Sequence, residues 1–159
     1  MNKSYITKLH NFTISLLKDG NRRKPLWMLA KWNCSEVTRI VGLKIMDDLG
    51  IESKPFILKG NVTVTGLRND NFHDILGYFD TESGKYFLLD PTIWQFYPRK
   101  RSINLGSFIT IESAIKFATK YYEGTWELSE YVNRELEKEL VDFYGIIKLN
   151  CSQSPNWKE

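Results

Sequence analysis

Cysteine and histidine are scarce in this chain of 159 residues, with two of each. Cys34 and Cys151 make no disulfide framework, and neither stands in a C-x-x-C pair. With only His10 and His73 beside them, a four-ligand zinc site is not expected and no metal or cofactor is implied. There is no internal repeat and no low-complexity segment. No apolar run approaches the ~20 residues that a membrane helix needs. The first apolar stretch is broken by Thr13 and Ser15 and lacks the small-residue cleavage site of a secretory leader. A soluble, cytoplasmic protein with no membrane partner is the expectation. At 42% apolar residues and a net charge of +3, the chain is no disordered segment. It has the size of one domain, 1–159, hiding roughly two-thirds of its unfolded surface.

Charge is present but unevenly spread. Residues 1–31 hold seven basic groups against Asp19 alone, and residues 123–159 hold eight acidic groups against four basic ones. Such opposed ends either join each other or form a polarised rim for substrate, and joining is the preferred reading. Arg22-Arg23-Lys24 and Arg99-Lys100-Arg101 are compact basic clusters with Trp27, Trp94 and Tyr97 nearby. Nucleic-acid binders usually concentrate more charge than two such triplets supply, so nucleic acid is a disfavoured partner.

Tyr5, Leu9, Phe12 and Leu16 recur at helical spacing and Gly20 follows, predicting a helix over 3–19. His10 flanks that stripe as a packing or solvent-facing side chain. Leu26–Ala30 is a short apolar run of undecided type. Asn33 with Glu36 three places on forms a variant capping box for a second helix, whose stripe is Val37, Ile40, Val41 and Ile45 and whose stop is Gly50. Residues 54–58 and 61–65 read as strands broken near Gly60. Residues 72–79 and 85–90 read as a hairpin ended by Pro91. Thr110 can cap a helix through Tyr122. Ser129 can cap another with Val132, Leu136, Leu140 and Phe143 as its stripe, so that flanking helices cover 111–144. Helices, then strands, then helices predict an α+β fold.

The capping box places Cys34 at the start of a helix, where unpaired N–H groups and the dipole favour a thiolate. A four-residue hairpin loop from Asp80 to Ser83 would set Phe79 opposite Gly84 and His73 opposite Asp90. Facing side chains stand ~5 Å apart, a separation at which a carboxylate orients an imidazole. Cys34, His73 and Asp90 then supply nucleophile, base and orienter. Asp74 either raises the basicity of His73 or points to the other sheet face. Trp27 and Trp32 read first as core packing. Gln95 either helps fix the site or faces solvent. Cys151, in a polar tail, reads as an incidental free thiol.

Cys34-Ser35-Glu36-Val37 opening a helix, Leu49-Gly50-Ile51, a strand to Gly60, His73 on a strand, and Gly84 through Asp90-Pro91-Thr92 together resemble the transglutaminase-like cysteine enzymes. The resemblance spans residues 32–96, with Asp90-Pro91-Thr92 as its most specific part. It implies a papain-like core, a helix packed on a small antiparallel sheet, a triad of Cys34, His73 and Asp90, and, because the family often places a tryptophan upstream of the cysteine, the indole N–H of Trp27 or Trp32 as a candidate oxyanion donor. Asn33 stands where many members have glycine, Asp74 departs from the pattern after the histidine, and no calcium-binding acidic loop is apparent. The function expected is a cysteine peptidase or amidase acting on a peptide, protein or small-molecule amide or ester. Alternatives are an acyltransferase, a glutamine deamidase or transamidase with the same triad, and a non-catalytic nucleic-acid- or protein-binding module.

Overall fold

The computed structural model describes residues 3–31, 33–63 and 72–136. Helix α1 (Lys3–Lys18) buries Leu9, Phe12, Thr13, Leu16 and Leu17 on one stripe. The undecided run becomes a short helix, α2 (Leu26–Ala30), begun by extended Pro25, whose carbonyl accepts from Met28 and Leu29. Helix α3 (Cys34–Leu49) ends at Gly50, whose φ of 87° carries its N–H back to the Met46 carbonyl. Strands β1 (Phe56–Asn61), β2 (Phe72–Asp80), β3 (Lys85–Leu89) and β4 (Asn104–Phe108) follow. Helix α4 (Ile111–Tyr122) is capped by the Thr110 hydroxyl, which accepts from Ser113 N–H at 3.1 Å, and β5 (Trp126–Tyr131) completes the order.

Among the described residues the five strands form one antiparallel sheet in the order β4-β3-β2-β1-β5. Period-two alternation sorts its side chains into two cores. Ile57, Leu76, Tyr78 and Leu89 pack with Leu9, Leu16, Ile40 and Val41 from α1 and α3. Phe56, Leu58, Ile75 and Leu88 pack on the other face with Ala114, Ala118 and Tyr122 of α4. The α+β class expected from the sequence is what the structure shows. No helix among the described residues is long and apolar enough to cross a membrane.

Several expectations are corrected. Residues 56–61 run as one strand through Gly60 rather than two broken by it, while 64 and 65 lie outside the described residues. Glycine is required there by packing. A Cβ at residue 60 would stand 2.3 Å from the Trp126 ring and 2.4 Å from the Thr125 carbonyl oxygen. Ser129 caps no helix, because residues 126–131 pair with β1 as an edge strand. Val132 is buried in the same core as α1 and enters it from just past the end of a strand. Leu136 ends a short turn of 3-10 helix, while Leu140, Phe143 and Cys151 lie outside the described residues. Strand β4, not expected, carries Gly106 at its centre and meets β3 with an irregular register.

Candidate active site

The β2–β3 turn decides where His73 and Asp90 meet. Gly84 has φ of 70°, a conformation glycine adopts freely, and its N–H bonds the Asp80 carbonyl at 2.8 Å. Gly84 therefore belongs to the turn, and the loop is Thr81–Gly84. Asp80 faces Lys85 and Phe79 faces Tyr86, so the expected pairing of Phe79 with Gly84 and of His73 with Asp90 is wrong by two residues. An even shift leaves every side chain on its own face. His73 and Asp90 thus share a face as diagonal neighbours, and His73 Nε2 lies 2.7 Å from Asp90 Oδ2.

Both residues are fully buried. The other Asp90 oxygen accepts from the Thr92 N–H at 3.0 Å, so the turn after Pro91 holds the carboxylate in place. The Tyr122 hydroxyl, from α4, donates to the same Oδ2 that His73 reaches. Burial, then the Asp90 charge, pushes the Tyr122 pKa well above its ordinary value, so the phenol keeps its proton and remains a donor. Phe96, Tyr122 and Trp126 surround the imidazole edge-on, with ring centroids at 4.8, 5.6 and 6.1 Å. Burial lowers the basicity of His73, but the Asp90 charge and hydrogen bond outweigh it, helped by Cys34, and its pKa is pushed up to about 10. With Nε2–H given to the carboxylate, Nδ1 is the nitrogen left for other partners, and Gln95 Nε2 lies 3.3 Å from it.

Cys34 is the first residue of α3, half-buried, with its thiol within hydrogen-bonding reach of His73. The expected Asn33 cap is absent: its side chain makes no capping bond to α3. Asn33 instead ties off the end of α2, its Nδ2 donating to the Leu29 carbonyl at 2.7 Å and its N–H to the Ala30 carbonyl at 3.2 Å. Asn33 has φ of −108° and ψ of 9°, away from the extended backbone from which a cap residue bonds its helix. The start of α3 is instead fixed through Arg39, whose Nη1 donates at 2.8 Å to the Ser35 carbonyl, the Ser35 hydroxyl and Asp74 Oδ2. Its Nη2 pairs with Glu130 of β5. Asp74 therefore points away from His73, to the α3 side of the sheet, which settles the alternatives left open for it.

Gln95 is brought to the site by the short 3-10 turn Ile93–Gln95. Its Nε2 donates to the Thr92 hydroxyl at 2.9 Å and lies 3.3 Å from His73 Nδ1. Trp27 is exposed on α2, without a hydrogen bond to Cys34, His73 or Asp90. Trp32 lies outside the described residues. Tyr122 and Trp126 are the site neighbours that sequence reasoning missed. Tyr122 reads as one more member of a helical stripe, and Trp126 falls in what reads as a loop between helices. Among the described residues no group of three or more histidine, cysteine, aspartate or glutamate side chains could hold a metal ion. Comparison with protein-family models, with curated proteins and with solved structures found no match to this chain.

Proposed function

We propose that the protein is a cysteine-dependent amide hydrolase of transglutaminase-like, papain-like design, acting in the cytoplasm on a peptide, protein or small-molecule amide. One observation carries the reading: a thiol at a helix start lies within hydrogen-bonding reach of a buried imidazole whose Nε2 is held by a buried carboxylate. His73 takes the thiol proton on Nδ1 and holds it until the leaving group departs, since Asp90 stabilises the imidazolium. The Cys34 sulphur attacks the carbonyl carbon, an S–C bond forms, and the π pair moves to oxygen. The backbone N–H at Cys34 is the natural donor to that oxyanion. Collapse breaks the C–N bond, and the amine leaves with the His73 proton. Water then returns a proton to Nδ1 as its oxygen attacks the thioester, and the acid departs from the thiolate. Transfer to an amine and glutamine deamidation pass through the same thioester.

Iodoacetamide alkylation followed over pH, with intact-mass analysis of acyl-donor and peptide mixtures, tests the reading. A rapid reaction near neutral pH and a mass adduct, both lost in Cys34→Ala, are expected. Labelling that follows Cys151 with an ordinary thiol profile would overturn it.

A further inference from the structure

One atom of Gln95 serves two neighbours: Nε2 lies 2.9 Å from the Thr92 hydroxyl and 3.3 Å from His73 Nδ1. With nitrogen in that place, Gln95 donates one N–H to Thr92 Oγ1 and the other to the lone pair of a neutral imidazole. A half-turn about Cγ–Cδ, a soft two-fold torsion, puts Oε1 in the same place. That oxygen accepts from the Thr92 hydroxyl and from the Nδ1–H of an imidazolium. Both arrangements are saturated, because a hydroxyl gives or takes a hydrogen bond as needed. Thr92 is itself pinned: it is fully buried, its N–H bonds Asp90 Oδ1 at 3.0 Å, and its hydroxyl stands 3.5 Å from the same oxygen. The other groups around the ring lack this freedom. Asp90, just past β3, accepts at Nε2, and Tyr122 of α4 donates to Asp90. Phe96 and Trp126 offer only ring contacts, and Cys34 of α3 is the further titratable neighbour among the described residues.

We propose that Gln95 is a positioning residue whose side-chain amide reverses with the proton on His73, turning N–H to the neutral ring and carbonyl to the imidazolium. No bond is made or broken in the reversal, and the proton itself travels between Cys34 and His73. The inference rests on the proposed hydrolase for its use in turnover, where His73 gains and loses a proton twice per cycle. A fixed donor would oppose the imidazolium, and a fixed acceptor would oppose the neutral base. A reversible amide supports each in turn.

The sign of one shift decides. A hydrogen bond to a charged group is roughly twice as strong as a neutral one, so a reversible amide favours the imidazolium on balance. In full-length, 13C-labelled Cys34→Ala protein, nuclear magnetic resonance over pH reads the ring at His73 Cε1 and the amide at Gln95 Cδ. Both should move with one midpoint, and Gln95 Cδ should lie downfield on the acid side, where its oxygen accepts. Gln95→Met removes both hydrogen bonds and should disfavour the imidazolium about fivefold, lowering the midpoint by ~0.7 pH unit. Gln95→Glu, a charged acceptor in that range, should raise it. A midpoint that rises in Gln95→Met would mark a fixed donor and one that stays would mark mere packing, and either overturns the proposal. A Gln95 Cδ that ignores the His73 titration overturns it even if the variants fail to fold. The two proposals separate cleanly. A reversing amide in a chain whose Cys34 is unreactive would keep Gln95's role and remove the hydrolase, and a reactive Cys34 with a still amide would do the reverse.

Discussion

His73 and Asp74 are neighbours on β2, both buried and both ionisable, and they serve opposite faces of the sheet. Asp74 is saturated. Arg39 reaches it at 2.8 Å while also holding the Ser35 backbone and Glu130, and Lys59 stands 4.0 Å from its other oxygen. Such a pair fixes geometry, because any movement strands a buried charge. His73 is held as firmly at Nε2, but at Nδ1 its neighbours are a thiol and an amide at 3.3 Å. One pair closes a network and the other ends at the Cys34 thiol. Full partnership marks scaffold, and the proposed chemistry rests on the imidazole that faces a thiol.

The sharpest way to break that contrast is on the His73 side. His73→Ala should abolish the rapid alkylation of Cys34. Asp90→Asn should lower turnover of a trapped substrate by about 10³-fold or more through a misoriented ring, with little change in the folded spectrum. A rate that survives either change would make the pair structural, like its neighbour.

Stability against pH separates the two histidines. His73 has its pKa pushed up to about 10 from 6.5 on folding, so its contribution is complete below 6.5 and is lost as pH rises towards 10. Urea midpoints should fall across that window, on the order of a few kcal/mol in all, and the fall should flatten in Asp90→Asn. His10 behaves in the opposite way. Burial alone lowers its pKa, and its ring lies against Trp94 at 5.7 Å, so it costs stability only as pH falls below 6.5. His10→Phe should remove the acid-side loss and leave the alkaline one. If the alkaline slope persists in Asp90→Asn, another group sets it.

On the Asp74 side the expected loss is in folding rather than chemistry. Arg39→Met leaves a carboxylate buried at 4% exposure with Lys59 at 4.0 Å as its remaining ion-pair partner among the described residues, and should cost about 3 kcal/mol in urea unfolding. Where the variant remains folded, its Cys34 alkylation rate should stay nearer the parent's than that of His73→Ala. A collapse of reactivity without a loss of stability would show that Arg39 serves the thiol directly.

The same contrast explains what could be read from the sequence. Cys34, His73 and Asp90 were legible because local signals place each of them: a helix start, a strand, and a strand closed by proline. Their meeting survived an incorrect register, since counting Gly84 as strand rather than turn moved the pairing by two and kept the face. Asp74's partner was not legible, because Arg39 shows only helical context and its acceptors come from two distant strands. Strand β5 was misread for a related reason. Its glutamates and Ser129 suit an exposed edge as well as a helix surface, and only the fit of Trp126 over Gly60 distinguishes them. Tyr122 was placed correctly on its helix, but a stripe of apolar residues does not reveal that one hydroxyl reaches a carboxylate.

That hydroxyl supplies the smallest and most discriminating test. Tyr122→Phe keeps the ring that packs on His73 and removes one donor from Asp90 Oδ2, the atom the imidazole also uses. A hydrogen bond to a charged acceptor contributes about 2 kcal/mol, so the variant should unfold at modestly lower urea. The chemical consequence should run the other way from that of Asp90→Asn. With one competitor gone, the carboxylate binds the imidazolium more strongly, so the pH at which alkylation reports His73 deprotonation should move up. A shift downward, or one matching Asp90→Asn, would mean that the phenol itself orients the carboxylate and that the His73–Asp90 pair does not hold its geometry alone.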